Sequence, residues 1–298
     1  MLTPFGDDGA MDFDGLDALT DWYLKCGVEG LFAVCASSEM FDLTDDERLA
    51  VAQRVRERVG GRVPVFATGT FGGPISEQAE FVRRMSDTGV DGVVIVTGQV
   101  AQEKDGTVEW KANVESIIEQ TGDIRLGLYE CPRPYHLVLD PETLAWCASS
   151  GRFDFTKDTS AGMDAIRAKI AVTQGTSLRF YDACAATVFQ ALKWGGDGFC
   201  GVAGNFFADL YVWLCENFAD EPDTAAELHR FLSVAERAVG VGYPASAKLF
   251  LSRSGLPIRA HCRSKSISFS ERDTLILDDL DCMVSDWRRR LNSPLSRA

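Results

Sequence analysis

Histidine is scarce in this sequence, and positive charge is in the minority. The 298 residues include three histidines, His136, His229 and His261, none in an H-E-x-x-H spacing. Mechanisms built on histidine, or on a metal held by it, have little to draw on. Thirty lysines and arginines face 44 aspartates and glutamates, a formal charge of −14. Such a mean field repels phosphate, which argues against a nucleic-acid binder or a protein held on an anionic membrane. The run Arg288-Arg289-Arg290 reads as the solvated end of a last helix. No apolar run is long enough to span a bilayer, and no charged start is followed by an apolar stretch, so the expected location is the cytoplasm. The nine cysteines contain no C-x-x-C pair and are odd in number, which suits buried thiols in a reducing compartment and leaves no metal site to expect. Phosphate fingerprints are missing too. The stretch GTFGGP at 69–74 has neither the G-x-G-x-x-G spacing nor a Walker lysine, and it reads as a strand-to-helix turn.

The apolar content of 46% is enough to bury a large core. It is distributed in short runs: GLFAVC (30–35), VPVFATG (63–69), GVVIVT (92–97), RLGLYE (125–130), FDFTK (153–157), SLRFY (177–181) and GFCGVAG (198–204). Amphipathic stretches lie between them, such as LTDDERLAVAQRVRERVG, where Thr44 can cap and Glu47 can complete a capping box. Strand-like runs that alternate with helices predict a parallel sheet. Seven or eight such units in about 200 residues favour closure into a (β/α)₈ TIM barrel. The eighth strand falls at the start, where only Met1 and Leu2 precede Thr3-Pro4, and is expected to be short or truncated. After residue 205 the pattern is wholly helical, with a last helix from Ser270 to about Leu291. The expected organisation is a barrel over 1–220 and a C-terminal helical domain over 221–298.

In a barrel of this kind the site is built from the C-terminal ends of the strands. The residues there are Ser37, Ser38 and Glu39; Thr68 and Thr70; Tyr129 and Glu130; Lys157; and Gly201 to Asn205, Val202 among them. Along FDFTK, alternation puts Phe153, Phe155 and Lys157 on one face. An ammonium among phenyl rings is desolvated, which favours the free amine that attacks a carbonyl to form a Schiff base. Tyr129 could move protons beside it, and Ser37 and Ser38 could offer hydroxyls and N–H groups to a carboxylate. A plainer reading is open for each: Lys157 paired with Asp154 or Asp158 on the rim, Tyr129 covering the core, and Ser37 and Ser38 capping a turn.

Taken together these residues resemble the N-acetylneuraminate lyase and dihydrodipicolinate synthase family of class I aldolases. The resemblance rests on Thr3-Pro4-Phe5; Glu39 with Leu43-Thr44 and Glu47-Arg48; Leu128-Tyr129 with Pro132; Lys157-Asp158 with Ser160; Gly198, Gly201 and Asn205; and Tyr243-Pro244 with Lys248 and Gly255-Leu256. Tyr129 and Lys157 lie 28 residues apart, as the family pattern has them. The resemblance implies a (β/α)₈ barrel with a C-terminal helical extension, Lys157 as the Schiff-base lysine, Tyr129 as the proton-relaying phenol, and no cofactor beyond the covalent imine. It also implies a substrate site that takes in Ser37, Ser38, Gly201 and Val202, and a homo-oligomer, tetramer or dimer.

The departures are equally specific. The family's G-[ST]-T-G-E loop is here Cys35-Ala36-Ser37-Ser38-Glu39. The Pro-Tyr-Tyr run that in the synthases sends a tyrosine across the dimer is Gly98-Gln99-Val100. The synthases' carboxylate-binding arginine, five residues after the tyrosine, is replaced by Pro134, with Arg133 one place earlier. Glu130 stands where asparagine is usual and is expected to add negative charge near the site mouth. The function this supports is a carbon–carbon lyase or aldolase that takes a pyruvate-like 2-keto acid, with an aldehyde as the second reactant. A dehydratase or hydrolase acting on a sugar-derived keto acid through the same imine is one alternative, and a catalytically reduced relative that binds a small acid is another.

Overall fold

A computed structural model of the chain describes residues 1–264 and 267–296. Seven strands form one sheet in sequence order, each parallel to its neighbours: β1 Leu31–Val34, β2 Val65–Thr68, β3 Gly92–Val96, β4 Leu126–Tyr129, β5 Phe153–Asp158, β6 Arg179–Asp182 and β7 Gly198–Phe199. They coincide with the seven apolar runs of the sequence to within a few residues, except at 198–204. There only Gly198 and Phe199 are extended, and a turn leads straight into a helix.

The helices are α1 Phe13–Lys25, α2 Asp45–Val59, α3 Ile75–Ser86, α4 Thr107–Gln120, α5 Pro141–Ser149, α6 Met163–Thr173, α7 Val188–Lys193 and α8 Gly204–Asn217, followed by α9 Pro222–Val239, α10 Ala245–Arg253 and α11 Glu271–Arg290. Their ends follow the local chemistry: Thr44 and Ser270 cap α2 and α11 through capping boxes with Glu47 and Asp273. Among the described residues no helix is long and apolar enough to cross a membrane.

The sheet curls into a barrel whose interior is filled by rings. Phe155 of β5 meets Phe66 of β2 edge-on at 4.9 Å and Tyr181 of β6 at 5.9 Å. Gly127 of β4 makes room for them, since a Cβ there would lie 2.6 Å from the Phe155 ring. The short strand expected at Met1 and Leu2 does not form. Its segment makes only an isolated antiparallel bridge, Phe5 to Met11, and Pro4 has no N–H to give to a ladder. Leu2 and Phe5 are nevertheless fully buried, and the Met1 nitrogen lies 2.7 Å from the Phe32 carbonyl oxygen of β1.

Among the described residues, three helices, α9 to α11, follow the barrel without a further strand. They are anchored to it by buried ions as well as apolar contacts: Arg288 of α11 makes a bidentate pair with Asp209 of α8, both bonds 2.9 Å. The extension thereby comes within reach of the C-terminal ends of the strands.

Candidate active site

Tyr129 and Lys157 are paired residues on the neighbouring strands β4 and β5. The Lys157 Nζ stands 4.4 Å from the centre of the Tyr129 ring and 5.8 Å from that of Phe32 on β1. A register shift adds one residue to β5 between Phe153 and Phe155, so the expected alternation of one face holds from Phe155 to Lys157. Lys157 is buried, with 7% of its surface exposed. Neither rim carboxylate pairs with it: Asp154 binds Arg125, and Asp158 binds Lys169. The amine therefore sits among aromatic faces with no carboxylate partner among the described residues. Burial and the neighbouring Cys131 thiol hold the Tyr129 phenol well above its usual pKa, which keeps it protonated as a donor.

The loop after β1 begins with a 3-10 turn, Ala36–Ser38. The left-handed residue is Glu39, at φ 58°, so Ala36, Ser37 and Ser38 have no need of glycine. The two serines are placed differently. Ser38 closes the turn on itself, its Oγ accepting from the Cys35 N–H at 2.7 Å and donating to the Cys35 carbonyl at 2.6 Å. The Ser37 Oγ instead accepts from the Tyr243 hydroxyl at 2.6 Å. Tyr243 belongs to the turn between α9 and α10, and its oxygen accepts in turn from the Asn205 Nδ2 at 2.8 Å. The Asn205 Nδ2 also donates to the Val202 carbonyl at 3.0 Å, and its Oδ1 accepts from the Tyr23 hydroxyl. Gly201 is a close-approach position, because a Cβ there would lie 2.3 Å from the Ala183 carbonyl oxygen.

Glu39 and Glu130 both face away from Tyr129 and Lys157. Glu39 receives the Lys248 ammonium at 2.7 Å and the N–H groups of Arg263 and Ser264 at 2.7 and 2.8 Å. Glu130, expected at the mouth, lies behind the wall between sheet and helices, because β4 turns Tyr129 inward and the next residue outward. Its Oε1 takes the Lys169 ammonium at 2.6 Å and the Leu139 N–H at 2.9 Å. The same ammonium reaches Asp158 at 2.6 Å, so two buried carboxylates share one cation. Burial pushes the Glu130 carboxyl up to about 7 despite Lys169, and Asp158 beside it adds to the rise. Asp182 on β6 is likewise raised by burial, to about 6.

The parallel barrel with a helical extension agrees with what most of the chain matches. The model of the dihydrodipicolinate synthetase family covers residues 1–279. The chain belongs to this family. Among its relatives, the 4-hydroxy-tetrahydrodipicolinate synthase of Bacillus velezensis is 27% identical over 94% of this chain and 96% of that protein. The putative 2-dehydro-3-deoxy-D-gluconate aldolase YagE of Escherichia coli K12 is 30% identical over 77% of this chain and 76% of that protein. The crystal structure of YagE in complex with pyruvate superposes with a TM-score of 0.85 at 24% identity, covering 95% of this chain and 96% of that one. Family members are lyases or aldolases.

Against the family pattern, the mouth of this barrel is reworked. Gly98 is confined by the loop after β4, since a Cβ would meet the Tyr135 carbonyl oxygen at 2.7 Å. Arg133 lays its guanidinium 4.8 Å from the centre of the Phe41 ring. Sequence separation hid the contacts of Tyr23, Tyr243 and Lys169: the partners lie 206 residues away for Tyr243, 182 for Tyr23, and 39 and 11 for Lys169. Thr68, already a strand-end candidate, gains a distinction. Its hydroxyl is fully buried and has no hydrogen-bond partner among the described residues. By alternation it shares the inner face of β2 with Phe66. Since Phe66 meets Phe155, Thr68 stands at the level of Lys157.

Proposed function

We propose that the protein is a class I aldolase that binds a pyruvate-like 2-keto acid as an imine on Lys157. The observation that carries this is the buried Lys157 amine over the ring of its strand partner Tyr129, with no carboxylate paired to it among the described residues. The Lys157 nitrogen attacks the C2 carbonyl, and the carbinolamine loses water to give the cationic imine. Loss of a C3 proton, or cleavage of the C3–C4 bond with release of an aldehyde, leaves the enamine. The cationic imine is the electron sink, so the chemistry calls for no metal ion or organic cofactor. The Tyr129 phenol, held protonated, donates to the departing hydroxyl and relays protons at the imine. Ser37 faces the carboxylate, while Ser38, committed to the Cys35 backbone, shapes the turn. Gly201 and Val202 act through the backbone they fix. The substrate pairing is a keto acid with an aldehyde, and family resemblance supports an assembly of several copies.

The test is borohydride reduction in the presence of pyruvate, followed by intact mass. The parent chain is expected to gain the mass of one reduced pyruvate, located on Lys157 by peptide mapping. Lys157→Arg, whose guanidinium is not nucleophilic at neutral pH, is expected to gain nothing. An adduct that persists in Lys157→Arg rules out the assignment.

A further inference from the structure

Four segments that are distant in sequence meet at one line of hydrogen bonds: Tyr23 on α1, Asn205 on α8, Tyr243 before α10, and Ser37 in the loop after β1. The direction of each bond in this line can be settled. The Val202 carbonyl can only accept, and it lies 3.0 Å from one end of the Asn205 amide, so that end is the NH₂ group. The second proton of the same group then points at the Tyr243 oxygen, 2.8 Å away. The Tyr243 oxygen is thereby an acceptor, which leaves its single proton for the Ser37 Oγ at 2.6 Å. At the other end the Asn205 Oδ1 takes the Tyr23 proton.

Every member donates toward Ser37, and Ser37 itself donates to no acceptor among the described residues. Its proton is therefore the free end of a one-way chain. Each bond polarises the next, so a donor at the end of such a chain is stronger than an isolated hydroxyl. Accepting the Tyr243 proton engages one of the two Ser37 lone pairs and leaves the single Ser37 proton to be donated. An anion is what the chain is built to receive.

We infer that Tyr243 is a positioning residue that fixes the Ser37 hydroxyl as a donor to the substrate carboxylate, so that the helical extension of the same chain completes the carboxylate site. The inference rests on the proposed binding of a keto acid at Ser37. It goes further in assigning part of substrate affinity to a residue that touches no substrate atom. No neighbouring subunit is needed to supply this phenol.

The experiment measures the pyruvate concentration that half-saturates borohydride trapping in the full-length protein. The set is the parent, Tyr243→Phe, Ser37→Ala, and the double variant, each checked by thermal unfolding. Tyr243→Phe is expected to raise the half-saturating concentration about tenfold while leaving the trapped fraction at saturation unchanged. In Ser37→Ala the further loss of the Tyr243 hydroxyl is expected to change nothing, since the residue through which it acts is gone. Losses that multiply in the double variant overturn the inference, as does a Tyr243→Phe chain that binds like the parent. A merely structural role would lower the unfolding midpoint without this dependence on Ser37. If Tyr243→Phe does not fold, Asn205→Asp decides. Its carboxylate can only accept, draws the Tyr243 proton away from Ser37, and is expected to give the same loss, whereas unchanged affinity overturns the inference. A parent chain that traps no pyruvate removes the imine reading and this inference together, an outcome distinct from all the others.

Discussion

The Lys248 Nζ lies 2.7 Å from the Glu39 Oε1, joining the helical extension to the loop after β1 across 209 residues of sequence. Both side chains are almost fully excluded from solvent. Burial alone would push the Glu39 carboxyl up, yet the Lys248 ammonium and the Ser264 N–H bring it below its usual value. Taking away the cation leaves the buried charge its Arg263 and Ser264 N–H donors but removes its ion-pair partner. Lys248→Met is therefore expected to destabilise the fold by about 3 to 5 kcal/mol, read from urea unfolding. A loss under about 1 kcal/mol, the range of an exposed pair, contradicts the buried geometry.

Stability should fall as pH rises toward neutrality. Glu130 and Asp182 hold protons to about 7 and about 6 in the folded protein, against ordinary values of 4.5 and 3.8. Between those limits the folded state binds more protons than the unfolded one, so unfolding becomes easier as pH increases, by up to about 1.4 kcal/mol per pH unit for each proton. Glu39 and Glu47 are lowered, Glu47 to about 2 by its Arg263 partner, and their opposite slope lies below the unfolded values. Thermal midpoints measured from about pH 5 to 7 are expected to decline, and Glu130→Gln is expected to flatten the decline. An unaltered slope in that variant removes Glu130 as its source.

Tyr129→Phe retains the ring under the Lys157 nitrogen and deletes only the phenol hydroxyl. Exchange of the pyruvate methyl protons in heavy water, followed by proton NMR, reports enamine formation without any aldehyde. The variant is expected to slow that exchange by about a hundredfold or more, while slow trapping on Lys157 survives. Exchange at the parent rate means that another group carries the proton.

Thr68→Val should separate binding from stability. The Thr68 hydroxyl is buried without a hydrogen-bond partner among the described residues, so an isosteric methyl relieves a desolvation penalty of about 1 kcal/mol or more. The variant is expected to melt higher than the parent and to bind pyruvate more weakly. A lower midpoint, or unchanged pyruvate affinity, sinks the view that this hydroxyl waits for substrate.

Much of the molecule was legible in the sequence because local patterns specify local structure. The seven apolar runs became the seven strands, Thr44 and Ser270 capped the helices that follow them, and strand-end position put Tyr129 and Lys157 among the candidates. Alternation also brought Phe155 and Lys157 to one face, because a period of two belongs to the strand itself. It misled at Phe153, where an extra residue in β5 depends on the register of the neighbouring strand.

What the fold alone decided are the relations between residues that sequence separates. Ser37 and Ser38 are the same residue type in the same turn, and only the arrival of the Tyr243 hydroxyl distinguishes them. Glu130 could be placed at the mouth from its number, but the outward turn of β4 and the reach of Lys169 put its carboxylate behind the wall. In each case the deciding contact is a hydrogen bond or ion pair made by side chains on different elements. Its existence depends on how those elements pack, to within a few tenths of an ångström, and neither composition nor spacing carries that information.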